Sequence, residues 1–184
     1  MIAKIAAPIP LQDLYREFLD ALAREGFAGE INHTHGLRSV LATDNSIYQR
    51  LPQAAVFPKH AGDVACVARL AAQERFRPIV LTPRGGGTGT NGQSLTHGIL
   101  VDISRHMNES LEINVEERWV RVQTGVVKDQ LNRALKPYGL FFAPELSTSN
   151  RATLGGMINT DASGQGSCTY GKTRDHVLEL DTVL

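Results

Sequence analysis

Short apolar runs of four or five residues alternate along this chain with amphipathic stretches of helical period, and several of the runs come in consecutive pairs. That pattern predicts an α+β fold, a sheet with helices packed on it. The 184 residues are 42% hydrophobic and 21% charged, an ordinary globular composition and enough chain to bury a sizeable core without staples.

The elements follow in order. Met1 to Pro10 has one lysine and a short apolar stretch broken by Pro8 and Pro10, with neither a proper hydrophobic region nor a cleavage site for a signal peptide. Leu11, Leu14, Tyr15, Phe18, Leu19 and Leu22 fall at helical spacing with acidic and basic residues between them, and Gly26 stops the helix. Residues 27–50 carry few periodic signals and read as an irregular connection with at most a short helical turn. Ala54–Phe57, closed by Pro58, reads as a strand, and Val64, Val67, Ala68 and Ala71 mark the following helix, with Asp63 near its positive end. Pro78–Thr82 is a second strand, and the glycine-rich run from Pro83 to Gly92 follows it. Ile99–Asp102, Leu111–Asn114 and Trp119–Val122 read as three more strands, the last two alternating. Val126–Leu135 is a helix ended by Pro137 and Gly139. Ala143–Gly171 is rich in small residues and nearly free of periodicity, a length that signals function or disorder. Val183–Leu184 stands inside an apolar alternation that looks like an unfinished strand, so the chain reads as the front part of a longer protein.

Charge and cysteine content exclude several classes. Nineteen Lys and Arg balance nineteen Asp and Glu, so no uniform basic field holds the chain to nucleic acid or an anionic membrane. No apolar run is long enough to span a bilayer. Cys66 and Cys168 are too few for a disulfide framework and lack zinc spacing, and they read as reduced thiols, which places the expected location in the cytoplasm.

The strongest local signal is Arg84-Gly-Gly-Gly-Thr-Gly-Thr-Asn-Gly-Gln93, directly after a strand. Closely spaced glycines let the backbone approach a ligand without Cβ contact, and successive N–H groups form an anion nest. A flexible linker is the plainer reading, but the loop lies between two apolar strands and carries Arg84, Thr88 and Asn91. Gly87-x-Gly89-x-x-Gly92 matches the dinucleotide fingerprint, yet a strand at Ile99 leaves no room for the helix that motif requires. Gly87 and Gly92 also begin a Walker pattern, but Gln93-Ser94 stands where its lysine belongs. What survives is a phosphate-cradling loop between two strands. Pro144 to Gly164 adds hydroxyls, an amide and further glycines suited to an extended hydrogen-bonding ligand, against the alternative of a surface Ω-loop packed on itself.

Together, PRGGGTGTNGQ (Pro83–Gln93), ATLGGMINTDASG (Ala152–Gly164) and YGKTRDHV (Tyr170–Val177) resemble the FAD-linked oxidase family, whose flavin domain is of the p-cresol methylhydroxylase (PCMH) and vanillyl-alcohol oxidase (VAO) type. Within it the order of motifs, with TDNSIYQ (Thr43–Gln49) and ELSTSNRATLGGMINTDASGQGS (Glu145–Ser167), is similar to the long bacterial FAD and iron–sulfur D-2-hydroxyglutarate dehydrogenases. The resemblance implies a PCMH-type FAD-binding domain over residues 51–184, incomplete at its C-terminal end and preceded by a helical extension, 1–50. It implies that Arg84, Gly85, Gly86, Gly87, Thr88 and Gly89 wrap the FAD pyrophosphate. It implies that Pro144, Thr148, Thr153, Gly155, Gly156, Asn159, Ala162, Ser163 and Gly164 line the ribityl chain and flavin. Relatives with covalent flavin carry His where Thr88 stands, so the implied FAD is noncovalent. Oxidation of a D-2-hydroxy acid is the implied activity. Its catalytic base, substrate clamp, 4Fe–4S cluster and any oligomer contacts belong to the parent beyond Leu184, and this chain alone is expected to be inactive. A non-catalytic nucleotide- or phosphate-binding module is the alternative.

Other residues invite chemistry less well. His33-x-His35 lacks further metal ligands at matching spacing, so no metal site is expected. Asp175-His176 resembles a base and its orienting carboxylate, but neighbours on a strand face opposite ways. Cys168 has no activating partner nearby, and Arg69, Arg75 and Arg77 read as a solvated face.

Overall fold

The computed structural model describes residues 9–183, so the leader reading of Met1–Pro10 falls largely outside the described residues, as does Leu184 of the expected terminal strand. The first helix, α1 (Asp13–Arg24), buries Tyr15, Phe18, Leu19, Ala21 and Leu22, the stripe its spacing predicts. Residues 27–50, expected to be irregular with at most a short helical turn, contain a short edge strand, β1 (Glu30–Asn32), and a six-residue helix, α2 (His35–Val40). The strand was hidden by brevity: three residues with one apolar side chain carry no alternation to read. After them come β2 (Ala54–Phe57), α3 (Ala61–Ala71), β3 (Leu81–Arg84) and β4 (Ile99–Asp102). The second strand therefore starts later than Pro78, because the chain first makes a 3₁₀ turn over Glu74–Phe76 and Val80 stays 52% exposed.

These strands form one sheet in the order β1-β2-β4-β3, with β2, β4 and β3 parallel and β1 antiparallel at the edge. Every residue of β2 and β4 is buried, the continuous apolar reading of a strand covered on both faces. Ala54, Val56, Ile99 and Val101 pack with Phe18, Leu22, Val67, Leu70 and Phe76 beneath α1 and α3. Ala55, Phe57 and Leu100 face the other way, against Leu37 and Leu41. Phe18 and Phe76 meet edge to face at 5.2 Å. Buried Asp63, in the first turn of α3, accepts from the N–H groups of Ala28 and Lys59, both at 2.8 Å, and so fixes the chain that enters β1.

A second layer follows. β5 (Ser110–Asn114) and β6 (Trp119–Val122) form an antiparallel hairpin, and Leu131 and Leu135 of the following helix, α4 (Lys128–Leu135), cluster with Val126 and Leu154 against Ile113, Val120 and Val122 of the strands. The hairpin does not alternate as predicted: Ser110, Leu111 and Glu112 are all exposed in succession, where the register shifts between Ser110 and Glu112. The 143–171 stretch is not wholly irregular either. It holds α5 (Leu154–Asn159) and α6 (Ser167–Tyr170). A glycine pair inside α5 and only six residues of length left no helical period to detect. Asp175 and His176 lie in a 3₁₀ turn, Thr173–His176, rather than on a strand, and Val177–Val183 has no regular structure.

Candidate functional site

The glycine loop leaves the end of β3 at Gly85 and returns to β4 through buried Ser94, Leu95 and Thr96. A loop at the carboxyl end of a parallel strand, here the partly buried edge strand β3, sits at the mouth of the sheet, where α/β folds place ligands. Among the described residues, the backbone N–H groups of Gly85, Gly86, Gly87, Thr88, Gly89 and Thr90 donate to no protein acceptor; the next one, of Asn91, reaches Gln93 Oε1 at 3.1 Å. Gly85 to Gly89 are half-buried. Half-buried donors without partners are costly unless an external acceptor meets them. Six in succession fit a polyanion such as a pyrophosphate.

The two loops singled out in the sequence touch. A Cβ on Gly85 would overlap Thr153 Oγ1, and one on Gly86 would overlap the Arg151 carbonyl. Only glycine allows this approach. Arg151 Nη2 also lies 3.4 Å from the Gly86 carbonyl. Thr153, 1% exposed, caps α5 by accepting from Gly156 N at 3.3 Å.

The second loop is in turn pinned to the hairpin layer by backbone bonds: Leu154 N to Val126 O and Gly155 N to Thr124 O at 2.8 Å, Lys128 N to Ala152 O at 3.0 Å, and Asp129 N to Ser149 O at 3.1 Å. Thr148 closes its first turn by accepting, at its carbonyl, from the N–H groups of Arg151 and Ala152. Pro144 is buried, Thr148 and Gly155 are half-buried, and Gly156 and Asn159 are exposed on α5. Ala162, Ser163 and Gly164 follow it in the chain, with Ala162 held by its N–H to Met157 O and by its carbonyl to Thr173.

Arg84 is placed differently from its glycine neighbours. It is 9% exposed, and its guanidinium turns inward, donating to Thr43 O at 2.8 Å and to Leu41 O and Ser94 O at 3.4 and 3.5 Å. Burial pulls it below the ordinary arginine value, while the Asp102 and Asp44 carboxylates oppose that shift. Asp44 accepts from Ser46 N at 2.8 Å and Ser94 Oγ at 3.0 Å. Burial pushes this carboxyl up, but those hydrogen bonds and the Arg84 charge outweigh it, leaving Asp44 below the usual range.

The two acidic residues of the second loop also differ. The Asp161 carboxylate, at a residue with φ +47°, is paired with Arg174, whose Nε lies at 2.6 Å, and that hydrogen bond holds its pKa below the ordinary value. Glu145 is exposed. No group of three or more potential metal ligands occurs among the described residues. Cys66 is buried and Cys168 exposed. His176 contacts the Tyr170 carbonyl and the Phe142 ring. Sequence reading finds Thr43 and Asp44 within the TDNSIYQ motif but does not set them, or Ser94, at the back of the glycine loop; the Asp44-x-Ser46 spacing of an Asx turn is the local signal.

A family model described as an FAD binding domain matches residues 52–184. The chain is 73% identical over its full length to a D-2-hydroxyglutarate dehydrogenase of Pseudomonas putida and 62% identical to that of Escherichia coli, in each case covering 18% of the relative. It is 38% identical over 138 residues to the glycolate oxidase subunit GlcD of Bacillus subtilis, 29% of that protein. Among solved structures, an alkyldihydroxyacetonephosphate synthase superposes with a TM-score of 0.78 at 24% identity, over 93% of this chain and 33% of the other. The 6-hydroxy-D-nicotine oxidase of Arthrobacter nicotinovorans gives 0.69 at 23%, over 82% and 32%. The chain thus spans less than a fifth of the dehydrogenases it matches, and its fold is that of the PCMH-type flavin domain. It belongs to the FAD-binding domain family of FAD-linked oxidases.

Proposed function

We infer that this chain is the FAD-binding part of a flavin-dependent dehydrogenase that oxidises a D-2-hydroxy acid, D-2-hydroxyglutarate foremost, to the 2-oxo acid. The observation that carries the FAD reading is the run of unpartnered N–H groups from Gly85 to Thr90, closed on its far side by Arg151 and Thr153. The substrate assignment is supported by 62–73% identity, over this whole chain and 18% of each relative, to D-2-hydroxyglutarate dehydrogenases.

Gly85, Gly86, Gly87, Thr88 and Gly89 would present backbone donors to the pyrophosphate, with no Cβ of the glycines in the way. Thr148, Thr153, Gly155 and Gly156 would border the ribityl chain, with Pro144 as the dry wall; Asn159, Ala162, Ser163 and Gly164 would extend towards the ring. Thr88 cannot form the histidyl link of covalent relatives, so the FAD is held noncovalently. When bound, the flavin supplies hydride acceptance from the substrate carbon, chemistry that belongs to the cofactor. The Asp161–Arg174 pair keeps a carboxylate beside the second loop neutralised rather than free to act as a base.

The base for the hydroxyl proton, the substrate carboxylate clamp, the 4Fe–4S cluster and any oligomer contacts are assigned to chain beyond Leu184. Residues 51–184 form the flavin part and 1–50 its extension, although α1 and β1 of the extension share the core of the same sheet. No helix among the described residues is long and apolar enough to cross a membrane, and we place the protein in the cytoplasm.

The test is the visible absorption spectrum of the purified full-length protein and of this chain with added FAD, before and after acid precipitation. Flavin bands that move wholly into the supernatant support the noncovalent assignment. A colourless full-length protein that instead yields a phosphate-containing ligand overturns it in favour of a non-catalytic phosphate-binding module. D-2-hydroxyglutarate should bleach the flavin of the full-length protein and leave this chain unchanged.

A further inference from the structure

The glycine loop has a back as well as a face. Its face is the row of free N–H groups; its back is Arg84, whose guanidinium carries three backbone carbonyls from two separate segments, Leu41 and Thr43 before β2 and Ser94 at the loop's own far end. Gly87, at φ +64°, lies directly over that guanidinium: a Cβ there would stand 2.6 Å from Nη2 and 3.1 Å from Cζ. The loop is therefore moulded on the arginine. At its far end Gly92, at φ +73°, packs on Tyr48 and Ser46, at 3.0 and 3.6 Å from a Cβ built on it. Asp44 joins the same two strips, accepting from Ser46 N in one and from Ser94 Oγ in the other. An antiparallel bridge between Thr43 and Gln49 closes the 43–49 turn on itself.

We propose that Arg84 is the positioning residue of this loop, a post that stays off the ligand and, with Asp44 and Ser94, clasps residues 41–48 behind the nest. That short segment, which lies ahead of the part matched as an FAD binding domain, is then a working part of the cofactor site. The reasoning is geometric. Three of the five guanidinium donors, two on Nη1 and one on Nη2, are directed to the Leu41, Ser94 and Thr43 carbonyls, so the planar fork is oriented inward. The Asp44 and Asp102 carboxylates lie near enough for their charges to act on it. Its contribution is to keep six donors at the curvature a pyrophosphate requires before the ligand arrives, which lowers the ordering cost of binding.

The proposal rests on the FAD reading and makes predictions that a direct phosphate contact does not. In the full-length protein, Arg84→Lys, Ser94→Ala and Asp44→Asn are compared with wild type for FAD dissociation rate, the circular dichroism of bound flavin and the melting temperature of the apoprotein. A clasp predicts that Arg84→Lys, which keeps the charge but not the fork, speeds FAD loss roughly tenfold or more, and that Ser94→Ala speeds it about threefold. It also predicts that Asp44→Asn, able to accept from only one of its two donors, speeds loss, with altered flavin dichroism in all three. An electrostatic contact predicts the reverse sign for Asp44→Asn, which removes a carboxylate near the phosphates, and near-wild-type retention for Arg84→Lys. Either of those results overturns the proposal while the FAD site stands. Ser94→Ala lowering the apoprotein melting temperature with no change in FAD loss also overturns it, since it assigns a folding role alone. A wild-type protein that takes up no FAD overturns the underlying flavin reading as well.

Discussion

The two loops of the site stand on foundations of different thickness. The first rises from a sheet whose central strands are dry on both faces, with Phe18, Leu22, Leu70, Phe76, Ile99 and Leu100 all at 0% exposure. The second is carried by a two-stranded hairpin and one helix, and around it Phe141, Tyr170, Leu178 and Leu180 stay between 48% and 78% exposed. Apolar burial contributes about 25 cal/mol per Å², so the first region has a self-sufficient core. The second has a smaller apolar cluster, Val126, Leu131, Leu135 and Leu154, reinforced by backbone hydrogen bonds with Thr124, Val126, Lys128 and Asp129. The lesson is that one half of the cradle stands on a large core and the other on a small one tied by backbone hydrogen bonds.

Phe18→Ala breaks the thick side. It is expected to cost about 3–5 kcal/mol, read as a lower denaturant midpoint, whereas Leu178→Ala should stay within about 0.5 kcal/mol. Equal losses would abolish the distinction. Next in size is the seam. Gly86→Val drives a side chain into the Arg151 carbonyl, and roughly thirtyfold weaker FAD binding, about 2 kcal/mol, is expected with the far-ultraviolet spectrum unchanged. Thr153→Val removes the α5 cap and should cost about 1 kcal/mol, largely recovered by Thr153→Ser.

Smallest is a pH effect confined to the thin side. The carboxyl of Asp161 is held below its ordinary value by the Arg174 hydrogen bond. Its stabilisation is therefore present above the unfolded-state pKa and is lost as pH falls through the lowered folded value. Protection factors of the Ala162, Thr173 and Arg174 amides, with the intrinsic pH dependence of exchange divided out, should fall on acidification, and Asp161→Asn should remove that fall. Protection factors in β2 and β4 over the same range should not move.

Legibility in the sequence followed the same division. β2, β4 and β6 stand where their apolar runs predict them, because strands buried on both faces or paired in a hairpin leave an unambiguous run. β1 went unseen: Glu30, Ile31 and Asn32 form a strand only because β2 offers them an edge, a tertiary fact rather than a local one. α5 was hidden by Gly155 and Gly156, and it forms where Thr153 caps it and Val126 receives its first N–H. The glycine loop announced its chemistry through composition. The direction of Arg84 did not, since an arginine beside a phosphate nest reads as a phosphate ligand until carbonyls more than forty residues away claim it.

The strand order carries a consequence for how the protein reaches its native state. β4 lies between β2 and β3, so the sheet is complete only when the segment after the glycine loop has threaded in between two partners formed earlier in the chain. The loop is the sole tether between β3 and β4, and its closure and the insertion of the central strand are one event. Parallel pairing across such a connection makes folding slow, since closure entropy is spent before the contacts form. Substitutions at Gly85, Gly86 or Gly87 are thus expected to retard refolding from denaturant even in the absence of any cofactor, placing the binding loop inside the rate-limiting step of folding.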